Sequence, residues 1–218
     1  MNLKELIDLY RMQSRDSSDG VLCEDEELTI YANEAQNEAC RRAQLLVDSS
    51  SPMCTVQVPA DAHVVKLDAR IINVQRAFVE RQPVGVVSVQ EMDAIWPGWQ
   101  FEAANTQVTH LVTGMTTGAV HLFPRPIAAV QIQMTVQRLP LKPMSKECDE
   151  PEIRSELHKA LVDWMLFRVY SSQDTDLYND TKAALRERSF EAEFGSKVSA
   201  RNEEWVRRGA GMLPGAIA

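Results

Sequence analysis

Val130-Gln131-Ile132-Gln133-Met134-Thr135-Val136 is the stretch whose reading decides the fold. Apolar and polar residues alternate through it without a break. A strand with one buried face uses that pattern and a helix cannot. Working outward, the residues from Cys54 to about Leu139 have β character, with candidate strands at 54–58, 63–67, 71–79, 84–89, 107–112, 119–123 and 129–139. Between the fourth and fifth, residues 89–99 read as a helical turn broken at Pro97-Gly98. Gly114 to Gly118 reads as a hairpin turn. Short strands at this spacing predict a small antiparallel sandwich or barrel.

Beyond both ends the period changes to that of a helix. Residues 2–12 place Leu3, Leu6, Ile7 and Tyr10 on one stripe, and 14–20 form a polar loop. Glu24-Asp25-Glu26-Glu27 then suits the positive end of a second helix. Its stripe is Leu28, Tyr31, Ala32, Ala35, Ala39, Ala43 and Leu46. Small residues at that spacing let another helix approach closely but bury little area each, so this helix needs partners. Residues 48–52 end it.

After a linker at 140–148, Asp149-Glu150-Pro151-Glu152 predicts a third helix start, with an acidic first turn and an early proline. This helix carries Leu157, Leu161, Val162, Trp164, Met165, Leu166, Phe167, Val169 and Tyr170, apolar nearly all round. Such a helix is buried on several sides, by its own domain or by a neighbouring subunit. Trp164, Phe167 and Tyr170 are the candidate subunit-packing residues. A fourth helix starts near Thr175, with Tyr178, Thr181, Leu185 and Ala192 on one face and Phe190, Phe194 and Val198 on the adjacent one. The glycine-rich end, Gly209 to Gly215, reads as a flexible tail. The expected class is α+β: a helical bundle from 1–53 and 141–205, an antiparallel β-sandwich or barrel-like domain inserted at 54–140, and a tail at 206–218.

The composition, 44% hydrophobic and 25% charged over 218 residues, is that of an ordinary globular chain. Its apolar runs fall far short of a membrane span, and Met1-Asn2-Leu3-Lys4-Glu5 opens no secretory signal. A net charge of −8 repels phosphate, which argues against gripping nucleic acid but suits a surface that DNA slides past. Cys23, Cys40, Cys54 and Cys148 form no CxxC pair, and reduced thiols in a cytoplasm are expected. His63, His110, His121 and His158 have no metal-ligand spacing to one another or to a cysteine, and read as structural or surface histidines. Gly209-Ala210-Gly211 begins like a phosphate loop, but Pro214 holds the next glycine position. Arg41-Arg42 and Arg207-Arg208 are too few for a nucleic-acid footprint. No catalytic, cofactor or metal site is expected.

Asn33-Glu34-Ala35-Gln36-Asn37-Glu38-Ala39-Cys40-Arg41-Arg42-Ala43 resembles the NEAQ-EA-RRA helix of head-to-tail adaptor (connector) proteins of tailed bacteriophages. So do Leu122-Phe123-Pro124-Arg125-Pro126, Arg138-Leu139-Pro140, Glu150-Pro151-Glu152-Ile153 with His158, Leu161 and Trp164, then Asp174, and Phe190-Glu191-Ala192-Glu193-Phe194-Gly195. The motifs are individually weak, and their order along most of the chain carries the resemblance. It implies a virion structural protein made in the host cytoplasm. Its copies would form a ring, commonly a dodecamer, between the portal protein and the tail or nozzle protein, extending a channel through which DNA passes without specific binding. It also implies that the C-terminal end reaches the portal. Trp205, Arg207, Arg208, Met212 and Leu213 are the candidate docking residues there, since Trp and Arg are favoured interface anchors. A tail-side completion or tail-tube protein shares the ring logic, and a soluble enzyme with an unrecognised site is the competing class.

Overall fold

The computed structural model describes residues 1–14, 23–172 and 177–197. They form two compact units, Met1–Leu46 with Leu139–Lys197, and Val47–Arg138. The protein is α+β, with five α-helices among the described residues and a curled, mixed sheet that makes a half-barrel.

The helical unit contains α1 (Leu3–Ser14), α2 (Asp25–Ala43), α4 (His158–Ser171) and α5 (Asp180–Phe194). α4 is the hub, packed against each of the other three. That is why it is apolar nearly all round: Leu161 and Met165 on one face and Leu166 on another are fully buried. Ala32, Ala35 and Ala39 of α2 are fully buried and let α4 come close. On α5 the buried face is Phe190, Phe194 and Ala183, while Tyr178, before the helix, and Leu185 stand in solvent.

Three helix boundaries differ from the expected ones. α5 begins at Asp180 and not near Thr175, because the Asn179 side chain caps it by accepting the Lys182 N–H. α2 stops at Ala43 because Gln44 turns left-handed (φ 50°) and its N–H closes on the Cys40 carbonyl. Leu46 therefore belongs to the strand β1 (Leu46–Asp48) and not to the helical stripe. α4 starts at His158, later than the acidic cluster at 149–152, because those residues are otherwise engaged. The Asp149 carboxylate accepts the Ser145 and Lys146 backbone N–H groups at 2.8 Å each, closing a turn. Glu152 Oε1 accepts the Leu141 N–H at 2.6 Å.

The β unit adds β2 (Thr55–Val58), β3 (Val64–Lys66), β4 (Ile71–Val79), β5 (Gln82–Ser88), β6 (His110–Thr113), β7 (Ala119–Phe123) and β8 (Val130–Arg138). The order is β1-β8-β4-β5-β6-β7-β3, with β2 also on β8. The alternating stretch is thus the strand on which three others pair. Val130, Ile132, Met134 and Val136 point into the core. Two register shifts in the β4–β8 ladder bend the sheet. The expected antiparallel arrangement needs one correction: β5 and β6 run parallel. A hairpin cannot join parallel strands, so the chain crosses over through 89–109. That crossover contains α3 (Val89–Ile95), which opens with a capping box: Ser88 Oγ accepts the Glu91 N–H and Glu91 Oε2 accepts the Ser88 N–H. Met92 and Trp99 from the crossover, with Val112 and Phe123, make a second small core. Gly85 is required where β5 passes β6, because a Cβ there would lie 2.8 Å from His110 Cδ2.

Asp48, near the start of this unit, and Arg138, at its end, form a buried ion pair, Nε to Oδ2 2.7 Å. Burial alone would raise the Asp48 carboxyl pKa. The N–H groups of Ser50 and Ser51 and the Arg138 guanidinium outweigh it and hold the carboxyl well below the ordinary carboxylate range. A folded-state pKa below the unfolded one gives stability that is present above about pH 4 and is lost as pH falls toward the folded value. Asp48→Asn should cost about 3 kcal/mol at neutral pH, because Arg138 keeps its charge in a buried place. Denaturant titrations of both proteins from pH 7 to 3 check this, and the variant should lose less of its remaining stability below pH 4.

Gly85→Ala should destabilise by roughly 1–3 kcal/mol through overpacking against the His110 ring. Adding His110→Ala should recover most of the loss, as a double-mutant cycle by chemical denaturation would read.

Candidate assembly surfaces

The resemblance motif on α2 turns out to tie the helical unit together. The Asn33 side chain donates to the Met144 carbonyl at 2.9 Å and accepts the Met144 N–H at 2.8 Å. Buried Gln36 accepts the Glu152 N–H at 2.6 Å. These two amides hold the linker before α4 along the side of α2. Glu38, itself buried, binds Arg41 Nη1 and Arg42 Nε at 2.8 Å each. The Arg42 side chain is 2% exposed and donates to the Gly195 carbonyl at 3.2 Å. Its guanidinium lies 5.3 Å from the Trp164 ring and 5.2 Å from the Phe190 ring. Arg42 is therefore an internal clasp, and Arg41, with its side chain 39% exposed, is tied to the same carboxylate, so the pair offers no free basic patch. The sequence signal for this was available: a Gln and a Glu among buried alanines must find partners.

Trp164 and Tyr170 are used inside the chain. Trp164 stacks obliquely on Phe167 and Phe190 at 5.1 and 5.0 Å between centroids, and Phe190 on Phe194 at 4.6 Å. Tyr170 is buried under the Lys182 ammonium, and burial raises its hydroxyl pKa against the opposing charge of Arg186. Phe167 is half-buried. With Tyr31, Trp164, Arg168 and Ser171 it lines a cavity of about 430 Å³. Arg168 bridges to Glu34 at 2.9 Å and covers the Tyr31 ring. The Tyr31 hydroxyl is pushed up to about 12, first by burial and then by its hydrogen bond to Glu27. Trp164 Nε1 and Arg42 Nη2 are buried without a hydrogen-bond partner.

Exposed apolar side chains mark the outer surfaces. On the helical unit they are Met12, Ile30, Tyr178 and Leu185. On the β unit the crossover presents Ile95, Trp96 and Phe101, the last 91% exposed. Phe101 borders a groove of about 460 Å³ with Trp99, Met115, His63, His121 and Arg125. The two imidazole rings there are 5.8 Å apart. Burial and then the nearby His63 lower the His121 pKa. His158 is buried with Nε2 2.9 Å from the Ile153 carbonyl, and His110 contacts the Thr109 hydroxyl. Among the described residues no group of three His, Cys, Asp or Glu side chains could hold a metal ion. No helix among them is long and apolar enough to cross a membrane. Trp205, Arg207, Arg208, Met212 and Leu213 lie outside the described residues.

A family model described as SU10 adaptor protein matches residues 1–212. No curated protein matches the chain significantly.

Arg42→Met should destabilise the protein by about 3 kcal/mol, because Glu38 is left buried with only Arg41. Arg42→Lys should not restore it, since an ammonium cannot bridge Glu38 and Gly195 while stacking on two rings. Arg168→Ala, at a pair with both partners partly exposed, should cost below about 1 kcal/mol. Urea unfolding followed by tryptophan fluorescence separates the two classes.

Proposed function

The chain belongs to the SU10 adaptor protein family of bacteriophage structural adaptors, and from that premise we propose that it forms a ring at the head-to-tail junction of the virion. The ring, of twelve copies, sits between the portal protein and the tail or nozzle protein and continues the DNA channel. The observation that carries this reading is the family match over residues 1–212. The residues themselves are compatible with it. The polar groups of the α2 motif are committed to internal bonds, which suits a scaffold. The net charge of −8 lets DNA pass without adhering. In this reading the chain works without catalysis, cofactor or metal. The helical bundle drawn from both ends of the chain and the inserted β-domain act as separate parts. Phe167, with Trp164 and Tyr170 behind it, supports packing between subunits. Trp205, Arg207, Arg208, Met212 and Leu213 form the portal-docking arm, with the β-domain turned toward the tail.

Truncation after Ala200 tests the arm and the placement together. The apolar core of the helical unit lies before that point, so the shortened chain should fold, with a cooperative thermal transition at the midpoint of the full chain. Infection complemented only by this variant should yield DNA-filled heads without tails in electron micrographs. Tailed particles at normal yield would rule out the arm. A reconstruction of intact virions with the chain as a single copy, or away from the portal, would rule out the ring reading itself.

A further inference from the structure

Two outward faces of the helical unit are complementary to each other. On α2, Glu26 and Ile30 are one turn apart and share an exposed face, and Ile30 is 57% exposed. Glu24 is exposed just before them, and Asp25 is engaged by Arg11. On α5, Leu185 is 62% exposed. Leu185, Ala184 and Arg188 are exposed together, beside a shallow cavity of about 540 Å³ that also includes Thr181, Lys182 and Asp180, the last accepting the Tyr178 hydroxyl. One face is therefore apolar with an acidic margin, and the other apolar with two cations, Lys182 and Arg188, against the one carboxylate of Asp180. Both helices pack on α4, so the same core fixes the two faces in place.

We infer that these faces are the joint between neighbouring copies of this chain: Ile30 and Glu26 of one copy pack against Leu185 and Arg188 of the next. The occupant is a second copy because the chain itself supplies both halves, with opposite charge at the margins. The two halves lie on different helices, which makes the contact heterologous. Such a contact repeats around a ring, whereas a single self-complementary patch would stop at a dimer. Each half exposes one large aliphatic side chain that its own core does not cover, and both are covered in the repeat. The inference rests on the ring reading above and names the surface that builds it.

The test is disulfide trapping in purified virions whose only source of the chain is Ile30→Cys/Leu185→Cys in a Cys148→Ser background. Both new cysteines replace exposed residues, and Cys148 is the exposed native thiol. Oxidation should give a ladder of dimers, trimers and higher species on a denaturing gel. Either cysteine alone should give monomer. Multiple copies per virion with no ladder would overturn the joint and leave the ring reading standing. A single copy per virion would overturn both. Charge reversal supplies an independent reading. Glu26→Arg or Arg188→Glu alone should cut infectious yield at least about tenfold by placing like charges across every joint. The two together should restore most of it, and failure of the pair to improve on either single change would overturn the proposal.

Discussion

The β unit depends on one buried ion pair. Asp48 and Arg138 stand 90 residues apart in sequence, near its first and last residues, with their side chains 7% and 11% exposed. Two charges placed there are costly unless each is fully answered. Asp48 meets that demand by also accepting the Ser50 and Ser51 N–H groups, which shapes the turn out of β1. Arg138 is the last residue of β8, and β8 carries β1, β2 and β4. Fixing its end against the start of the unit pins the register of the strand on which the others are built. A one-residue slip would turn Ile132, Met134 and Val136 outward and would also separate the pair.

The helical unit is held differently, by close approach backed by a polar clasp. The alanines of α2 admit α4, and Glu38 with Arg42 then ties the C-terminal end of α2 to α4 through Trp164 and to α5 through Phe190 and Gly195. Nearly every conspicuous residue of the adaptor-like motif is engaged in this way. The motif ties one unit together, and the large apolar side chains left exposed lie elsewhere, on residues that no motif singles out.

How much of this was legible follows from what each signal encodes. The alternation at 130–136 marked β8 with its buried face correct, because a period of two leaves a single choice of face. The all-round apolar character of α4 marked a surrounded helix, but hydrophobicity does not say whether the surroundings belong to the same chain. Trp164 and Tyr170 proved to be covered by their own unit. The parallel pairing of β5 and β6 was not legible, since side-chain periodicity carries no strand direction. Leu46 continued the helical spacing and was drawn into α2, while the left-handed Gln44 that stops the helix leaves no pattern in a residue with an ordinary side chain. Asn33 and Gln36 were visible as part of a motif, but their partners, Met144 and Glu152, lie more than a hundred positions away. The exposed Phe101 and Leu185 could not be found from sequence, because exposure is decided by what the rest of the chain does not cover.

The alanine face of α2 has a consequence for how the chain survives its own synthesis. α2 ends at Ala43 and the helix that covers it, α4, begins at His158. On a ribosome the wait between them is roughly ten seconds. Through that interval the nascent α2 shows water a stripe dominated by methyl groups, which offers little for other nascent chains or chaperones to grip. The bulky apolar residues of α4 and α5, Trp164, Met165, Leu166 and Phe190, emerge only after the helix that receives them has been made. Having the small receiving face of α2 precede the large side chains of α4 and α5 shortens the time for which those later side chains are uncovered.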